Sequence, residues 1–178
     1  MSKKLFNALL LIVLSVTVIS CKKDSPSNTN GDSYVKIKKN GTWVTYQGLG
    51  DLGPDLIDNT KIDFGVTGVS QDQKERFDFS IQLDGSNFPT GTYNSNNSAY
   101  WIDMSYAIYD ASGMEQRYYD ITEIDAQQAS RYTVNITSIT STELKGTFTG
   151  NYLIDDFNTP DPESIPITEG EFKVKRVR

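Results

Sequence analysis

Any chemistry in this chain has to be done without histidine. That removes Ser-His-Asp and Cys-His nucleophilic sites and the common zinc ligand sets. No glycine-rich phosphate cradle falls between a strand and a helix, so nucleotide binding by that route is not expected. Carboxylates and aromatic rings remain. Asp155-Asp156-Phe157-Asn158-Thr159-Pro160-Asp161-Pro162-Glu163 gathers hard oxygen ligands, and Asp155, Asp156 and Asp161 are the residues that could hold Ca²⁺. The spacing does not follow the EF-hand pattern and two prolines stiffen the segment, so a solvated acidic loop is the simpler reading. A glycosidase-like carboxylate pair needs acids roughly 5–9.5 Å apart, a separation that sequence does not show. The aromatic candidate is the hairpin from Ala99 to Ile121. If Tyr100, Ile102, Met104, Tyr106 and Ile108 face a core, Trp101, Asp103 and Tyr109 face outward. With Tyr119 and Ile121 inward, Tyr118 and Asp120 join them. Aromatic faces beside carboxylates suit sugar rings, whose apolar faces stack while their hydroxyls hydrogen-bond. The register would bring Asp103 near Asp120, which is unfavourable without a cation or a shifted titration. The plainer alternative packs Trp101 under a loop or against another sheet.

The first twenty residues supply an address. Lys3 and Lys4 precede an apolar run from Leu5 to Val18, and Val18-Ile19-Ser20-Cys21 closes it. A positive start, an apolar middle and a small residue before the cut are the parts of a secretory signal. Roughly 20 apolar residues are needed to span a bilayer, and this run is shorter. The cysteine after Ser20 is the only one in the chain and has no internal disulfide partner. It looks like the lipobox of bacterial lipoproteins, which implies diacylglycerylation of the Cys21 thiol, removal of residues 1–20 and acylation of the new amino terminus. Several acyl chains on one residue exceed what stable anchoring requires. Two of the 17 basic residues and none of the 23 acidic ones lie in the leader, so residues 21–178 carry a net charge of −8. Such a chain is a poor nucleic-acid binder and is ill suited to lying on an anionic membrane surface by charge.

The remainder reads as one domain. Residues 21–32 form a polar tether, Lys22-Lys23-Asp24-Ser-Pro-Ser-Asn-Thr-Asn-Gly-Asp32, with no apolar residue after the cysteine. Residues 33–178 alternate between β-rich runs and turn signals. Asn40-Gly41 between Val35–Lys39 and Thr42–Tyr46 predicts a hairpin in which both turn residues take positive φ. Gly48 to Asn59, broken by Gly50, Gly53 and Pro54, reads as a loop. Lys61–Val69 and Arg76–Leu83 alternate as strands, the second with Phe77, Phe79, Ile81 and Leu83 on one face and Arg76, Asp78, Ser80 and Gln82 on the other. Strands follow at Gly91–Tyr93, Ala99–Tyr109, Glu115–Ile121, Arg131–Ile139, Leu144–Ile154 and Ile167–Val177. Only Asp125–Ser130 could hold a helical turn. Gly146 and Gly150 suggest a bulge or close packing. The expected fold is all-β: a single antiparallel β-sandwich or barrel of about eight to nine strands.

Leu144-Lys-Gly-Thr-Phe-Thr-Gly150 and Ile167-Thr-Glu-Gly-Glu-Phe-Lys-Val174 resemble a group of uncharacterised small lipoproteins of Bacteroidota, and Asn40-Gly41-Thr42-Trp43, Gly91-Thr92-Tyr93 and the leader with Cys21 agree. Lys22-Lys23-Asp24 also resembles the short charged export tags of surface lipoproteins in that group. The resemblance implies a small all-β envelope protein and no reaction. The expectation is therefore a non-enzymatic binding module, held in the outer membrane by acylated Cys21, on either face, with a glycan or an envelope protein as partner and no cofactor. Its glycan-binding candidates are Trp101, Tyr109 and Tyr118. A lipocalin-like carrier of a small apolar ligand is the alternative, and a small carboxylate-dependent hydrolase stands third.

Overall fold

Strand-forming residues in strict alternation dominate the chain, and a computed structural model shows how they pair. It describes residues 33–121, 131–155 and 163–178. Cys21 and its leader, the tether, the Asp125–Ser130 segment, Asp156 and Asp161 lie outside the described residues. Among those described, twelve strands and no helix occur. They are β1 Tyr34–Lys39, β2 Thr42–Pro54, β3 Lys61–Val69, β4 Glu75–Asp84, β5 Gly91–Asn94, β6 Trp101–Tyr109, β7 Glu115–Asp120, β8 Thr133–Ile139, β9 Glu143–Thr149, β10 Leu153–Asp155, β11 Ser164–Ile165 and β12 Ile167–Arg176. All belong to one sheet in the order β11-β10-β7-β6-β4-β3-β2-β1-β12-β9-β8-β5. The sheet curls into an antiparallel half-barrel. A short parallel contact, Lys175 with Leu49 and Arg176 with Gly50, brings β12 onto β2 just beyond the first residue of β1.

The strands differ from the expected eight to nine in both length and number. Gly48 to Pro54 lengthens β2 instead of forming a loop. Its glycines make room: a Cβ on Gly48 would lie 2.6 Å from Val174, and one on Gly50 would lie 2.8 Å from Leu144. They mark close approach of β12 rather than a break in extended structure. The expected strand from Leu144 to Ile154 divides into β9 and β10, and β11 emerges from the acidic loop. The Asn40-Gly41 hairpin is as read, with φ of 50° and 77° and Lys39 paired to Thr42.

Inside the curl lies one apolar core. Phe64, Phe77, Phe79, Phe148 and Phe172 are all buried and pack ring against ring, with centroids 5.2 Å apart for Phe79 and Phe172 and 5.4 Å for Phe77 and Phe148. Phe88, from the segment after β4, continues the stack to Phe64 at 5.1 Å and to Tyr93 of β5, also at 5.2 Å. Tyr93 meets Tyr100 edge-on at 5.2 Å, and the Tyr100 hydroxyl accepts the Asn94 N–H. These contacts tie the β5 edge to the start of β6, so aromatic side chains hold the curl where backbone pairing stops.

Candidate functional site

The alternation that fills the core also defines the outer face. On β3, β4 and β6 the inward residues include Phe64, Phe77, Phe79, Met104 and Tyr106, so Gly65, Thr67, Arg76, Asp78, Ser80, Asp103, Ser105, Ala107 and Tyr109 point the other way. Register stacks them in rows across the strands. Val69, Arg76, Ala107 and Tyr118 form one row, and Leu49, Thr67, Asp78, Ser105 and Asp120 form the next. Asp51, Gly65, Ser80 and Asp103 form a third. Gly65, Ser80, Ser105 and Ala107 are small residues within these rows, with Arg76 and Asp78 beside them on β4. The result is a groove of about 790 Å³. Gly65, Ser80, Ser105 and Ala107 make its floor. Leu49, Asp51 and Val177 stand on one side, Tyr109 and Tyr118 on the other. Ser105 and Ala107 are buried although they belong to the outer face.

Polar groups in the groove are held in place. Arg76 donates from Nε to Asp78 Oδ2 at 2.6 Å and from Nη2 to Oδ1 at 2.9 Å, and Thr67 Oγ1 donates to the same Oδ1 at 2.5 Å. The carboxylate raises the Arg76 pKa. Burial pushes the Asp103 carboxyl above the ordinary carboxylate range; the Met104 N–H draws it back and the charge of Asp78 adds to the rise. Burial likewise raises the Tyr118 hydroxyl, opposed by its hydrogen bond with Ser105 and reinforced by the charges of Asp103, Asp120 and Asp78. An acid whose folded pKa is raised weakens the fold above that pKa, and the penalty disappears below the unfolded value, near 3.8 for aspartate. Asp103→Asn is therefore expected to raise the denaturation midpoint at neutral pH and to lose that advantage as the pH falls below about 4. Urea titrations across pH measure this directly.

The sequence candidates divide. Tyr109 and Tyr118 line one wall together, near the Arg76 guanidinium. Trp101 is 57% exposed and lies beyond the groove, two rows from Ser105, beside Gln82. Among the described residues no loop covers it. Ser105, not Asp103, sits opposite Asp120, and the charge that bears on Asp103 is that of Asp78. Of the Ca²⁺ candidates only Asp155 is described; its backbone pairs with Tyr119. Among the described residues no group of three or more acids is placed to hold a metal ion. Arg76, Asp78, Ser80 and Thr67 were absent from the sequence candidates. Their outward direction follows from alternation, but their meeting with β6 depends on the β4–β6 pairing, which skips β5 and has no local signal. Comparison with family models, with curated proteins and with solved structures matched nothing.

Proposed function

We propose that this protein is a lipid-anchored envelope module that binds a glycan, without turnover, in the outer groove of the half-barrel. The observation that carries the reading is the groove itself: a floor of small residues, a tyrosine wall and hydrogen-bonded polar groups on the outer face of the sheet. A sugar ring needs a flat apolar patch for its C–H face and paired donors and acceptors for its hydroxyls. Tyr118 supplies the first and Arg76 and Asp103 the second, with Asp78 holding the guanidinium in place. The anchor and the outer-membrane address rest on the lipobox at Cys21.

Two features favour binding over the other readings. The interior is filled by stacked phenylalanines, which supports a surface ligand over one carried inside. Asp78 and Asp103 share the groove, as a hydrolytic acid pair would, but Arg76 and Thr67 both donate to Asp78. Its oxygens are thereby committed, which disfavours a role as the base for an attacking water. Screening the purified protein against glycans tests the reading. Tyr118→Ala is expected to weaken the best ligand about tenfold, the size of one lost stacking contact, and Trp101→Ala to change it little. Binding indifferent to Tyr118 removes the groove as the site. Release of reducing ends during the assay would replace a binding role with hydrolysis.

A further inference from the structure

The turn between β2 and β3 displays apolar side chains in a way that folding does not require. Leu56 is 86% exposed and Ile57 98%. The polar groups of the same turn point back and brace it. Asp55 Oδ1 accepts the N–H groups of Ile57 at 2.7 Å and Asp58 at 2.5 Å, while Asp55 Oδ2 accepts Gln82 Nε2 at 3.0 Å. Asp58 Oδ1 accepts the Thr60 hydroxyl at 2.6 Å, and Asp55 and Lys61 close the base through Asp55 N–H to Lys61 O at 3.0 Å. Gln82 is the cross-strand partner of Trp101, so the indole, itself 57% exposed, stands at the same end of the sheet. The other exposed large apolar residues near a sheet end, Trp43 and Met114, lie at the opposite end, in or beside the β1–β2 and β6–β7 turns. Two aliphatic side chains on a braced turn and an indole at the same end of the sheet match the composition of a membrane–water interface contact, where an indole sits at headgroup level and aliphatic groups reach below it.

We propose that Leu56, Ile57 and Trp101 form a bilayer contact that seats the domain on the membrane holding Cys21; this rests on the lipid-anchor reading above. Chain length permits it. Ser33 donates its hydroxyl to the Gly48 carbonyl, and Pro54 lies six residue steps further along β2, about 20 Å of strand. The twelve residues from Cys21 to Asp32 can extend about 40 Å, so the anchor reaches past the tip. Tethering also raises the effective concentration of the tip at the surface, so a contact too weak to hold a free domain is populated in an anchored one. Asp55 and Asp58 ring the tip, with Lys61 the neighbouring cation, which suits a zwitterionic surface better than an anionic one.

The chain has two tryptophans, so Trp43→Phe leaves Trp101 as the sole indole. The test uses this variant as the full acylated protein in phosphatidylcholine vesicles with brominated acyl chains. Trp101 emission should shift to the blue and be quenched. Adding Leu56→Asp and Ile57→Asp, both at solvent-exposed positions, should abolish the shift and quenching while the protein still floats with the vesicles. Anionic lipid should reduce quenching, whereas adsorption by charge would increase it. A protein that floats but keeps a water-exposed Trp101 overturns the bilayer contact and leaves the anchor standing; the tip would then suit an apolar cleft on another protein. A protein that does not float overturns the anchor, and the contact with it.

Discussion

Gly170→Ala is expected to destabilise the domain by about 3 kcal/mol, the upper end for a methyl forced into a packed core. The cost is steric. Gly170 is absent from the positive-φ positions, so alanine meets no backbone penalty there. Its Cβ would overlap the ring of Phe148, its direct cross-strand partner, and would lie 2.8 Å from the Lys36 carbonyl oxygen. The carbonyl belongs to the β1–β12 pairing and cannot retreat without breaking it. The ring cannot retreat either, because Phe148 stacks on Phe77 and meets Phe79 edge-on at 6.1 Å. Gly146 and Phe172 form the matching pair two residues along, with the order reversed between the strands. Each phenylalanine thus covers the glycine opposite it, and the two pairs form a checkerboard that sets the spacing between β9 and β12. Urea unfolding should show a lower midpoint at unchanged slope. Phe148→Leu in the same chain should recover part of the loss, so that the double variant is less destabilised than the sum of the singles. A Gly170→Ala midpoint equal to wild type would show that the checkerboard does not limit packing.

That pairing also marks what a sequence can and cannot disclose. Alternation along Arg76–Leu83 and Tyr100–Ile108 is a property of neighbouring residues, and the burial of Phe77, Phe79, Met104 and Tyr106 follows it. The Asn40-Gly41 turn is equally local. Glycine is different, because the same residue serves a turn, as at Gly41, and a close approach, as at Gly48 and Gly170. Which one applies depends on a neighbouring strand, which for Gly48 includes Val174, more than a hundred residues away. For that reason the first part of the loop expected over Gly48 to Asn59, as far as Pro54, is strand instead. The groove is non-local in the same sense. Tyr109 and Tyr118 share a hairpin and could be brought together by reading its register, whereas Arg76, Asp78 and Thr67 reach them only through the pairing of β3, β4 and β6. Trp101 carried the strongest chemical signal in the hairpin, yet it sits at the strand end. Alternation gives its face but not its distance from the centre of the sheet.

Glu75→Gln is the second substitution with a large expected effect, about 2 kcal/mol at neutral pH, and its pH dependence is its diagnostic. Tyr46 and Tyr106 are buried, and their hydroxyls require partners inside the fold. Glu75 at the start of β4 and Lys39 at the end of β1 provide them. Tyr46 Oη donates to Glu75 Oε2 at 2.7 Å. Lys39 Nζ donates to both Glu75 oxygens at 2.9 Å and to Tyr106 Oη at 2.5 Å, and lies 4.7 Å from the Tyr106 ring centroid. Burial works against the Glu75 charge, but the hydrogen bonds from Lys39, Tyr46 and Tyr106 outweigh it and hold the carboxyl below its ordinary value of 4.5. An acid with a depressed folded pKa stabilises the native state fully above its unfolded pKa, and that contribution is lost as pH falls through the folded value. Glutamine keeps an acceptor for Tyr46 but turns an amide donor toward the lysine, leaving an ammonium without its counter-charge in a site where Lys39 is only 18% exposed. The difference between wild type and Glu75→Gln should be constant from neutral pH down to about 5 and then shrink as wild-type Glu75 takes up its proton. A difference that persists unchanged to pH 2 would mean that the substitution acts through packing rather than charge.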